Sequence, residues 1–453
     1  MGVRKVNLSF DNKTILLIMC FIITILIIDT SIGKIIDFIS YNPSIDWKIP
    51  LFTLACCVFV GGQYIVLKYV EQKIHEIRFK HEELRLRLVH KIVRIIQYIL
   101  VVIVIVILLQ VILLSYYNII FLVTAIIITY ALAIILMQLL ARRFFSWYKS
   151  NKNIVILLYG ISSALIAVNA LLTLTFVSIT LLTDKPTYIL PHVGGMIPHI
   201  ASGSLIDAIN NTYIMTSIVA FIVTWTATAM LLRHHSHKTG AIKYWIIVSI
   251  PLGYFLSQFI DLFQAVFAPL PLDPISSLII FTLGFTLSKP IGGILFAVAF
   301  WVIAKSIAHD NIVRSYMIIS AFGFALLFVS NQAIVLVTAP YPPFGLATVS
   351  FVGLASYLVL IGIYSSASSV AQDVELRNSI RKFAISKSRF LDTIGTAHME
   401  QEIEKNVVAI AKSHQDMMEE ETGLRSSLSE DDIKEYLEMV LKEVKNSNKK
   451  DDK

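Results

Sequence analysis

Charged side chains are scarce in this sequence. Asp, Glu, Lys and Arg make up 15% of its 453 residues, against about a quarter in soluble domains. Cysteine is scarcer still. Cys20, Cys56 and Cys57 all fall within apolar runs, which excludes a disulfide framework. Neighbouring Cys56 and Cys57 point to different sides of a helix, so they read as small packing residues and not as a metal pair. The soluble signatures of nucleotide and zinc chemistry are also missing. There is no G-x-x-x-x-G-K-[ST], no G-x-G-x-x-G after a strand, no H-E-x-x-H and no C-x-x-C. That excludes an ATP-driven pump with its motor in the same chain. The expectation is a protein that is not an enzyme and holds no cofactor.

What is abundant is apolar: 56% of the residues, with a mean hydropathy of +0.73. The excess is gathered into runs of roughly 20 residues, long enough to cross a bilayer. In lipid every backbone N–H and C=O must be satisfied within the segment, so such runs predict helices. Ten are expected, at 15–30, 50–70, 95–116, 119–140, 154–182, 213–232, 244–268, 275–304, 314–338 and 346–370. Arg4 and Lys5 precede the first run, but no A-x-A-like cleavage site follows, so it reads as an uncleaved helix. The fold class is therefore all-α, a polytopic transmembrane bundle over 1–370 followed by a helical tail over 371–453.

Lys and Arg set the orientation. Arg78, Lys80, Arg85, Arg87, Lys91 and Arg94 fall on one side, with Arg142, Arg143, Lys149, Lys152, Arg233, Lys238 and Lys243. The opposite loops hold only Lys34, Lys48 and Lys185. This predicts both termini in the cytoplasm. Residues 371–453 hold 14 Lys and Arg against 18 Asp and Glu, and the rest of the chain 24 against 13. The positive rim suits the lipid bilayer and its anionic head groups, and requires no nucleic acid.

Two cytoplasmic features are expected. Residues 71–94 keep a helical pattern through Ile74, Ile77, Leu84, Leu88 and Ile92, as a hairpin or a pair of helix extensions. The tail begins as a continuation of the tenth helix and carries amphipathic segments at Met399–Ile410 and Ile433–Val444. Ser429 with Asp432 starts the latter in the manner of a capping box. Its apolar face must pack on the loop helix, on another tail segment or on another chain. Gly362–Ser366 and Ser365–Ser369 are small-xxx-small pairs that favour close packing inside the bundle over a dimer face.

Polar groups inside spans are costly in hydrocarbon, so each is a candidate for function. Asn169, Asp261, Asn331 and Gln332 fall in the outer halves of their helices. Ser257, Asp261 and Gln264 share one helical face. Asp261 is the leading candidate, as a cation or proton ligand or as a carboxylate hydrogen-bonded between helices. Asp29 sits nearer a predicted helix end and reads as interfacial. The eighth run is overlong and interrupted by Ser288-Lys289-Pro290-Ile291-Gly292-Gly293, which predicts a kink, a break or a re-entrant segment. Lys289 there needs a partner, and Asp261 is the natural one. His192 and His199, with Asp207, are weak candidates for a metal; His234, His235 and His237 read as surface histidines.

Lys387-Ser388-Arg389-Phe390-Leu391 before His398-Met399-Glu400 faintly resembles the phospho-acceptor box of sensor histidine kinases. The histidine is too far from the Phe-Leu pair, and no Arg-Thr-Pro or ATP-binding domain follows. His398 is thus expected to be an ordinary exposed helix residue. The turn Pro340-Tyr341-Pro342-Pro343-Phe344-Gly345 and the exit Ser365-Ser366-Ala367-Ser368-Ser369 with Glu375-Leu376-Arg377 are similar to uncharacterised integral membrane proteins of archaea. That resemblance covers the last quarter of the chain and implies a membrane bundle, with no activity or site. The expected function is a membrane sensor or transducer whose tenth helix passes a change to the tail, the tail offering itself to a protein partner or a second copy. The alternatives are a transporter or channel using Asp261 and the broken eighth helix, and a membrane scaffold.

Overall fold

The computed structural model describes residues 12–39, 47–75, 80–183, 188–189, 203–233, 240–257, 259, 287–307, 311–338, 341–372 and 389–422, with scattered positions from 432 to 440. Among the described residues the regular structure is helical, apart from one two-residue pairing of β1 (Tyr117–Asn118) with β2 (Tyr188–Ile189). Six helices open the chain: α1 (Asn12–Ile39), α2 (Lys48–His75), α3 (Lys80–Leu114), α4 (Ile119–Ser150), α5 (Ile154–Thr183) and α6 (Leu205–Leu232). Then come α7 (Ala241–Ser257), α8 (Ser288–Ser306), α9 (Ile312–Ser330), the short α10 (Ile334–Thr338) and α11 (Leu346–Ser350), α12 (Val352–Gln372) and α13 (Arg389–Thr422).

Among the described residues nine segments are long and apolar enough to cross a membrane, and α7 is a shorter apolar helix of 17 residues. The chain is an all-α multi-pass membrane bundle. Large apolar residues remain exposed along α3 and α7, such as Ile99, Val102, Leu113, Ile246 and Ile250. In water that would be a liability; against lipid tails it costs nothing. At the other extreme, the segment from Leu346 to Gln372 has 94% of its most apolar window inside the protein.

The centre of the bundle is the pair α9–α12, with α8 against α9 and α4 against α12; α5 packs on α4 and α6. Gly362 shows why the pair is close. A Cβ there would lie 2.3 Å from Ser320 Oγ and 2.7 Å from the Tyr316 carbonyl oxygen. Gly362 and Ser366 are therefore spent on packing within the bundle, as the small-residue spacing suggests. Elsewhere hydroxyls join helices: Tyr159 with Thr228 and Ser162 with Thr224 link α5 to α6. Such bonds hold helices together where burial of apolar surface gives little drive.

Several expectations change. α1 runs nine residues beyond Thr30, so Asp29 is not at a helix end. It is buried, and its Oδ2 accepts hydrogen bonds from the Thr348 amide (3.2 Å) and hydroxyl (2.7 Å). Gly345, the N-cap of α11, brings no side chain to that helix start, and Asp29 supplies the missing acceptor from α1. The 71–94 segment consists of extensions of α2 and α3, as the pattern allowed. The overlong eighth run does not continue as one helix through its proline. α8 begins at Ser288 and places Pro290 in its first turn, where an N–H would have no intrahelical partner.

The tail is less separable than its sequence pattern indicates. Phe390, Leu391, Ile394 and Ala397 of α13 are buried against α12, α4 and α5. Gly395 permits the crossing, because a Cβ there would lie 2.3 Å from Val370 Cγ1. His398 is not exposed but 2% accessible, with its ring edge-on to Trp147 (6.2 Å) and Tyr364 (5.4 Å). Asn153 Nδ2 donates to Thr393 Oγ1 at 3.2 Å. Beyond Glu400 the helix leaves the protein: Ile410, Met417 and Met418 are exposed, as are Tyr436, Met439 and Val440 further on.

Candidate functional site

The described bundle contains a small cavity, part polar and part apolar, midway along α5 and at the C-terminal end of α9, away from the docked tail. It is lined by Ile166 and Asn169 of α5, Ser217, Ala220 and Phe221 of α6, Phe255 of α7, Lys289 of α8, and Leu327 and Phe328 of α9 with Asn331 at its C-cap. About 20 Å³ is open to the centre of a water-sized sphere, which is room for one or two waters or a solute of similar size.

Two helix ends meet here. α8 starts at Ser288, so Lys289 stands in its first turn, beside backbone amides that have no partner inside the helix. α9 ends at Ser330, and the chain resumes as α10 after Asn331, Gln332 and Ala333. Interrupted helices are tolerated at membrane depth where they face protein or a polar cavity.

The hydrogen bonds are specific. Lys289 Nζ donates to Tyr213 Oη at 2.9 Å and stands 5.2 Å from the centre of the same ring. Asn169 Nδ2 donates to the Tyr213 carbonyl oxygen at 3.2 Å. Tyr130 Oη donates to Asn331 Oδ1 at 3.0 Å. Tyr213 thus ties α6 to both α5 and α8, and Tyr130 ties α4 to the break after α9.

Of the residues expected to matter, Asn169, Lys289 and Asn331 are brought to one cavity by three different helices. Gln332 is adjacent, and its Nε2 donates to the Val329 carbonyl oxygen at 3.3 Å. Ser257 is buried but turns its hydroxyl onto its own helix, donating to the Tyr254 carbonyl oxygen. Asp261, Gln264, His192 and His199 lie outside the described residues, as do His234, His235 and His237. No cluster suited to a metal ion occurs among the described residues.

Sequence reasoning missed Tyr213, Ser217 and Tyr130. Tyrosine near a span end suggests the membrane interface, and a serine inside a helix is unremarkable because it bonds its own backbone. A second polar group was also missed, where α2, α3 and α12 meet. Arg94 pairs with Glu71 and donates to His90 Nε2 at 2.8 Å. Because a guanidinium only donates, that nitrogen accepts, and the ring is neutral with its proton on Nδ1. Nδ1 then donates to Tyr357 Oη at 2.9 Å.

No protein-family model, curated protein sequence or solved structure matches this chain.

Proposed function

We propose that this protein is a membrane sensor. A small solute occupies the cavity around Lys289, and the α9–α12 pair carries the change to α13. The chain crosses the cell membrane ten times with both termini in the cytoplasm, so the cavity faces outward and the docked tail inward. The distal half of α13, with its exposed Ile410, Met417 and Met418, offers a protein partner an apolar surface. Anionic head groups gather at the rim of Arg142, Arg143 and Lys149.

One observation carries this reading. α9 lines the cavity with Leu327, Phe328 and Asn331, packs along α12 at Gly362, and α12 holds α13 at Val370 against Gly395. A contiguous stack of packed helices thus joins the two ends. Such a stack transmits when it has two arrangements that both ends bias.

The test fills the cavity. Ser217→Leu should alter the rate at which a maleimide reaches a cysteine placed at Thr393, under the tail helix, in a background where Cys20 and Cys57 are serine. An unchanged rate, in a protein that is otherwise folded, rejects the sensor reading.

The alternative is a transporter of the same solute. The breaks at Ser288 and Asn331 favour it, since discontinuous helices often bracket transport sites. Uptake into proteoliposomes that Lys289→Met abolishes would establish transport in place of sensing.

A further inference from the structure

We infer that the solute held in this cavity is a small monovalent anion of about halide size, bound on the Lys289 ammonium; this rests on reading the cavity as the ligand site. Lys289 is half-buried, and its partners among the described residues are the hydroxyl and ring of Tyr213, both neutral. An ammonium removed from water without a counter-charge is strongly disfavoured. Either a carboxylate or a bound anion must answer it.

The remaining polar groups suit the anion: Asn169 spends an amide N–H on Tyr213 and keeps its Oδ1 as an acceptor, and the other groups can each donate. Asn331 has one lone pair of its carbonyl oxygen engaged by Tyr130 and has both amide N–H groups to offer. Tyr213 Oη accepts from Lys289 and keeps its own proton to donate. Ser217 adds a hydroxyl and Lys289 two further N–H groups. A metal cation would find an ammonium and few oxygens. A neutral solute would leave the charge unanswered. The apolar walls, Ile166, Ala220, Phe221, Leu327 and Phe328, leave little room beyond a monatomic ion or a comparably small one.

The experiment uses the full chain, purified in detergent. Thermal stability is followed as sodium chloride replaces sodium gluconate at constant ionic strength. The wild type and Lys289→Arg should gain stability with a saturable chloride dependence. Lys289→Met should fold but lose that dependence, with half-saturation moved at least tenfold higher. No chloride-specific gain in the wild type overturns the inference, as does an equal gain in Lys289→Met. So does a chloride response that appears only in Asp261→Asn, because Asp261 would then be the counter-charge.

The two readings fail separately. Chloride stabilisation without any change in Thr393→Cys labelling leaves the anion site standing and removes the sensor. A labelling response to Ser217→Leu with no chloride effect does the reverse.

Discussion

Gly395→Ala should loosen the tail helix without altering the sequence of any membrane-spanning segment. The new Cβ would meet Val370 Cγ1 at 2.3 Å and Val370 Cβ at 2.8 Å. Overpacking of a well-filled contact costs about 1–3 kcal/mol. Alanine also favours helix by about 1 kcal/mol, but that gain applies whether α13 is docked or free, so the docking equilibrium feels only the clash. Phe390, Leu391 and Ile394 are each almost fully buried, and their burial contributes roughly 5–9 kcal/mol in gross terms. Docking should therefore survive on average, while the undocked fraction rises roughly 5- to 150-fold. The assay is maleimide labelling of Thr393→Cys, a site 6% exposed, with Ser413→Cys on the exposed half of α13 as the control. The rate at residue 393 should rise by that factor and the control should not change. Equal rates at residue 393 with and without Gly395→Ala would refute the argument that van der Waals contact at the α12–α13 crossing holds the tail.

Four further outcomes are expected. Phe390→Ala should lower the stability of the whole protein by about 3–5 kcal/mol, read by heat or denaturant; removal of residues 389–453 should do at least as much, whereas removal of 423–453 should not. Asp29→Ala should cost about 1–3 kcal/mol by leaving the Thr348 amide without its acceptor, the hydroxyl keeping the Leu26 carbonyl oxygen, and Asp29→Asn, which keeps an acceptor, should cost less; identical losses would show that the contact is incidental. Gly362→Leu should prevent normal folding, because the Tyr316 carbonyl oxygen cannot move aside; a stable, folded variant would contradict the close α9–α12 packing. In a double-mutant cycle, Lys289→Met and Tyr213→Phe should be coupled by at least about 0.5 kcal/mol, and Lys289→Met and Asp261→Asn should be additive unless those two residues are a pair.

Much of the bundle was legible because the membrane writes it into composition. Long apolar runs in lipid have few options but the helix, and nine described segments are long and apolar enough to span, with the shorter α7 at the seventh expected run. Proline and glycine at 290–293 marked a true helix start. Asn169, Lys289 and Asn331 were identifiable singly, since each is a polar group where one is costly. Their convergence was not, because it depends on which faces of α5, α8 and α9 turn together, and periodicity does not determine that where exposed faces such as Val168, Leu171, Ile294 and Val298 are as apolar as the core. Asp29 was misread for a simple reason: α1 continues past the end of its apolar run, so distance from the last apolar residue misjudged depth. His398 was misjudged through the polar residues that follow it. Glu400, Gln401 and Glu402 announce a solvated helix, yet the docked face is set by Phe390, Leu391, Ile394 and Ala397 one to three turns earlier.

The central claim is that the cavity and the tail are coupled, and coupling between two sites acts equally in both directions. The most direct measurement is therefore hydrogen exchange on Gly395→Ala, read not at the mutated helix but at the opposite end, in residues 213–217 and 324–333. Counting from Asn153, which touches the tail, Asn169 is sixteen residues away along α5, about 24 Å. Independent sites at such a separation act additively. Loosening α13 should change exchange around Tyr213 and Asn331. Exchange altered only in α13 and the adjoining ends of α4, α5 and α12 would contradict it.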